Sequence, residues 1–87
     1  MKRKRIDDFI DESKQRFVDA QHIQSAIIGS DPGDINGLFR LKHGVTDLLD
    51  EVSARLKKTR AFCRREKMTI LINDCNKLIQ TLDEAIG

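Results

Sequence analysis

The feature that most constrains this chain is a pair of apolar stripes at helical spacing, separated by a single strong stop. Ile6, Phe9, Ile10, Phe17, Ala20, Ile23 and Ile27 recur on one face of a helix, with charged residues mostly beside or opposite them. Ile35, Leu38, Val45, Leu48, Leu49, Val52 and Leu56 repeat the pattern downstream. Between them lies Gly29-Ser30-Asp31-Pro32-Gly33, which joins two glycines to a proline that cannot continue a helix. The chain turns there. Asp31 is expected to cap the second helix, with Pro32 at its first position and Asp34 in the first turn, and Gly37 is a weak point just inside.

A turn near residues 30 and 31 pairs Ile6 with Leu56, Ile10 with Val52, Phe17 with Val45 and Ile27 with Ile35, so the two stripes agree in register as an antiparallel helical hairpin. A third stripe follows: Met68, Leu71, Ile72, Cys75, Leu78, Ile79, Leu82 and Ile86. At about 100° per residue it is rotated by roughly 120° from the second stripe, more than heptad drift allows. Either the helix breaks around 63–69, or one long helix uses two faces. The absence of Gly and Pro between 57 and 69 favours the long helix, and the phase jump favours the break. The break is preferred. The expected fold is all-α: a hairpin of helices over about 5–29 and 32–62 plus a third helix over about 68–86, as a three-helix bundle or a helical dimer.

Length allows one domain, 1–87, with 1–4 as a basic flexible arm. Apolar residues at 39% exclude a disordered tail, and charged residues at 34% with no run of about 18 apolar residues exclude a membrane-spanning segment. The acids of IDDFIDE interrupt any signal-peptide core, so a cytoplasmic or nuclear location is expected. Cys63 and Cys75 form neither a disulfide framework nor a zinc motif with His22 and His43, and no metal or cofactor is expected. So small a chain buries little surface, and its third stripe needs covering, which points to self-association or a protein partner, with a homo-oligomer expected.

Charge is distributed in blocks: +4 over 1–5, −5 over 6–56, +5 over 57–67 and −2 over 68–87. The hairpin brings Lys2, Arg3, Lys4 and Arg5 to the same end as 57–67, giving a positive tip and an acidic waist. If 57–67 stays helical, Lys57, Arg60, Arg64 and Lys67 share a face able to meet phosphates or an acidic surface. Four Phe with no Trp or Tyr leave few stacking side chains, which weighs against single-strand nucleic-acid binding.

No catalytic motif emerges. Arg16 and His22 have the R-x5-H spacing of the HEPN ribonucleases, a similarity of two residues, and are read as surface side chains. Leu38-Phe39-Arg40-Leu41-Lys42-His43 is similar to the phosphorylated-histidine stretch of histidine-phosphotransfer domains, but Gly44 and Val45 stand where that family has Lys-Gly. Cys63 among arginines lacks a histidine base, and the glycines match no phosphate loop. The expected role is therefore a non-enzymatic helical interaction module (an adaptor, chaperone-like or assembly protein). Its contact stripe is taken as Met68, Leu71, Ile72, Cys75, Leu78, Ile79 and Leu82, although the same spacing suits an intramolecular core. The rival reading is a small nucleic-acid-binding regulator using 2–5 and 57–67.

Overall fold

A computed structural model describes residues 5–31 and 33–87, which form α1 (Ile6–Ser30), α2 (Ile35–Lys58) and α3 (Phe62–Ile86), with no strand among the described residues. The expected arm at 1–4 and the expected role of Pro32 lie outside them. The all-α three-helix reading holds, with different bounds.

The α1–α2 turn is closed by backbone and side chain together. Asp31 N–H donates to Ile27 O at 2.8 Å, Asp34 N–H to Asp31 O at 3.0 Å, and the Asp34 carboxylate accepts from Gly37 N–H at 3.1 Å. Asp34, not Asp31, is the cap, so α2 begins three residues later than expected. Gly37 lets that carboxylate lie over the helix end, because a Cβ there would collide with the Asp34 carboxylate in this position. The later turn shifts the hairpin register by about one helical turn. Phe9 meets Arg55, whose Cζ lies 5.4 Å from the ring centroid, and Arg16 pairs with Glu51.

The second break falls at 59–61, in extended backbone with neither Gly nor Pro. The last carbonyls of α2 need partners from outside the helix. Thr59 N–H donates to Leu56 O at 3.1 Å and Thr59 Oγ1 to Arg55 O at 2.8 Å, and the Arg65 guanidinium adds Nη1 donations to Leu56 O at 3.0 Å and to Thr59 O at 2.8 Å. The second helix thus ends at Lys58 rather than about 62, and residues 62–67, expected to end that helix and then break around 63–69, belong to α3, which starts six residues before 68.

Buried positions recur in steps of three and four. Leu38, Leu41, Val45, Leu48 and Val52 on α2 face Met68, Leu71, Cys75, Leu78 and Leu82 on α3, the spacing that packs two helices at a shallow angle. The α1 stripe is weaker, with Ile10, Ser13 and Ala20 as its buried residues and Phe17 and Ile27 half-buried. Accordingly α2 and α3 pack most closely and α1 lies more lightly on both. Lys42 on α2 pairs with Asp83 on α3, and Arg64 on α3 with Asp7 on α1 at 3.2 Å, so the helices run up, down and up. The bundle measures 42 × 26 × 15 Å.

Candidate functional site

The α3 stripe expected to meet a partner lies inside the bundle. Met68, Leu71, Cys75, Leu78 and Leu82 are buried in the chain's own core, and Ile72 and Ile79 are half-buried against it. A stripe out of phase with α2 turns inward once the chain folds back at 59–61, so these residues serve the intramolecular core that their spacing also suits. The apolar surface left over is elsewhere. Ile23, assigned to the α1 stripe, is 50% exposed, and Ile35 and Phe39 are exposed at the start of α2.

Ile23 lies in a groove of about 500 Å³ between α1 and α2. Its apolar lining is Ala20, Ile23 and Ile27 on α1 and Leu41, Val45 and Leu48 on α2. Gly37 and Gly44 widen it, and a Cβ at Gly44 would meet nothing within 4 Å. Charge rims the groove on both walls: Asp19 stands on α1 and Arg40 on α2, and Arg16 reaches across to Glu51. Asp19 accepts from Gln15 Nε2 at 3.0 Å along its own helix, whereas Arg40 makes no hydrogen bond or ion pair among the described residues.

The basic end is organised differently from a single helical face. The break puts Lys57 on α2, Arg60 in the linker and Arg64 and Lys67 on α3. Arg60 and Arg64 join Arg55 and Lys58, with Ile6, Thr59 and Ala61, around a cleft of about 410 Å³ where the three helices converge. Lys67 instead lines the surface between α1 and α3, with Lys14, Phe17 and Ile70. Two of the four arginine and lysine side chains at the cleft are held: Arg64 forks onto Asp7 through Nε and Nη2, at 3.2 and 3.3 Å, and Arg55 stacks on Phe9. Lys58 and Arg60 make no hydrogen bond or ion pair among the described residues.

Phe62, the first residue of α3, is a surface feature that sequence reasoning missed. It is 76% exposed, the most exposed large hydrophobic side chain among the described residues. The signal available in the sequence was its position among Arg60, Ala61, Arg64 and Arg65, outside every stripe. His22 and His43 are exposed, and Arg16 is engaged with Glu51 rather than with His22. Among the described residues no three His, Cys, Asp or Glu side chains gather as a metal set, and no helix is long and apolar enough to cross a membrane. No protein-family model, curated protein or solved structure matches the chain.

Proposed function

We propose that the chain is a non-enzymatic helical interaction module that pairs with a second copy of itself through the α1–α2 groove. The observation that supports this reading is an amphipathic face wider than its own bundle covers: Ile23 is left half in solvent above Leu41, Val45 and Leu48. Helix-in-groove docking uses such a surface, filling an apolar trough with side chains at three- and four-residue spacing.

The rim charges favour a second copy as the occupant. Asp19 and Arg40 stand on opposite walls, and the antiparallel register set by Phe9–Arg55 and Arg16–Glu51 places Arg40 beyond Ile23 from Asp19 along the groove. A twofold axis through the middle of the groove sets Asp19 of each copy over Arg40 of the other and brings the two Ile23 side chains together. This is the self-complementary arrangement that an isologous dimer requires. Gly44, bare of a side chain, lies beside the axis and lets the helices approach.

Sedimentation equilibrium tests the pairing. The wild-type chain is expected to move from 10.0 kDa toward twice that mass with rising concentration. Ile23→Asp should hold the chain at the monomer mass, Asp19→Arg and Arg40→Asp should each weaken association about tenfold, and the double exchange should restore it. A wild-type chain that stays monomeric to about 1 mM, far above the micromolar constants of ordinary interfaces, overturns the reading, as does a double exchange that restores nothing.

A further inference from the structure

We infer that the elbow between α2 and α3 is a binding site for single-stranded nucleic acid, with phosphates held by Lys58, Arg60 and Arg64 and a base stacked on Phe62. The site is separate from the groove and independent of dimerisation. Two observations from different physics meet there. The first is charge: Arg55, Lys58, Arg60 and Arg64 surround one cleft of about 410 Å³, where the Asp7 carboxylate compensates Arg64 and leaves Lys58 and Arg60 without a carboxylate among the described residues. Like charges around one cleft repel, and an anion there relieves the repulsion that Asp7 leaves uncompensated. Arg55 and Arg64 are already positioned by Phe9 and Asp7, so the ligand need not order them, and Lys58 and Arg60 have donors to offer.

The second observation is the aromatic ring. Phe9 lies under Arg55 and Phe17 is half-buried against the core, whereas Phe62 is 76% exposed just outside the cleft, at the residue that follows Ala61 of its lining. An exposed Phe forgoes about 2 kcal/mol of burial that a core position would give it. Proteins that hold single strands combine these two elements, a cationic track for the backbone and an aromatic platform that accepts any base. A duplex keeps its bases stacked within the helix and so cannot use the ring. An acidic protein surface would use the charge and leave the ring idle. The two features together therefore select an unpaired strand.

The test is fluorescence anisotropy with a labelled eight-nucleotide oligothymidylate and oligoadenylate, an abasic strand of the same length, and a duplex, all at low salt. The expected result is binding to both base-bearing strands, about tenfold weaker binding to the abasic strand, and a log–log salt slope near −2, since about three phosphates are neutralised at roughly 0.7 each. Phe62→Ala should weaken binding to the base-bearing strands about tenfold and leave the abasic strand unaffected, and Lys58→Glu with Arg60→Glu should weaken all of them. Because the chain contains no Trp, Phe62→Trp gives a single indole whose emission should be quenched by the oligonucleotides. Equal affinity for abasic and base-bearing strands, a duplex preferred over the single strand, or an unquenched indole overturns the inference. So does binding to anionic phosphatidylserine vesicles with none to the oligonucleotides, which would make the elbow a membrane-surface site.

Discussion

Replacing Leu82 by Ala is expected to cost about 2–5 kcal/mol, a large part of the stability of a domain this small. Leu82 is fully buried on α3, in the last turns of the stripe that faces α2. Its truncation removes apolar contact and leaves a cavity that two long helices cannot easily close. For a chain of this length the change corresponds to a fall in melting temperature of about 10 °C or more. Urea denaturation checks it: the midpoint should drop with little change in slope, because the folded and unfolded surfaces are otherwise the same. The cost should be independent of protein concentration once a dilute, monomeric range is reached. If Leu82 belonged to an intermolecular stripe, the variant would instead lower the mass in solution and cost the monomer under about 1 kcal/mol.

The two cysteines should differ in reactivity by about a hundredfold or more. Cys63 is exposed in the first turn of α3, and Cys75 is fully buried in the core. Burial pushes the Cys75 thiol up from 9.0 to about 11, with Asp74 adding to the rise and Arg16 opposing it. The thiolate is the reactive form, so two units of pKa alone suppress reaction about a hundredfold, and burial of the sulfur suppresses it further. Ellman's reagent at pH 8 should therefore consume one thiol promptly and the second only on denaturation. The same shift has a consequence for stability. In the unfolded chain the thiol ionises from about pH 9, while the folded chain keeps its proton to about 11. The unfolded state binds fewer protons in that window, so this contribution to stability is complete below pH 9 and lost as the pH rises through 11. Cys75→Ala should flatten that part of the profile, and identical profiles for the two proteins would contradict the burial of Cys75.

Much of this architecture was legible in residue spacing. Leu38, Val45, Leu48 and Val52, and Met68, Leu71, Cys75, Leu78 and Leu82, repeat at helical intervals and are the core. The phase jump after Leu56 favoured a break around 63–69 over one long helix, but its position at 59–61 was hidden because the stop is made by a side chain reaching back. Nothing in the identity of Arg65 distinguishes a capping guanidinium from its solvated neighbours. The charged segment 62–67 has no stripe to reveal a helix, which is why α3 was expected to begin at 68. Similarly, Asp31 and Asp34 both fit a cap by type, and the choice between them rests on backbone that composition does not determine.

The sites were less legible, for a common reason. Periodicity tells which residues avoid water but not which neighbour covers them. Ile23 and Leu82 look alike in sequence, yet one is half exposed in the α1–α2 groove and the other is sealed between α2 and α3. The basic residues show the same effect: Lys57, Arg60, Arg64 and Lys67 share a face only along an unbroken helix, and the elbow regroups Arg60 and Arg64 with Arg55 and Lys58.

Everything proposed for the groove and the elbow depends on α3 doubling back along α2. Small-angle X-ray scattering from a dilute, monomeric sample measures this directly. The folded bundle should give a radius of gyration close to the 14.1 Å of its Cα atoms, increased slightly by side chains and hydration. A continuous helix from Ile35 to Ile86 would be a rod of about 78 Å with a radius of gyration above ~20 Å, and that value would contradict the fold on which both sites stand.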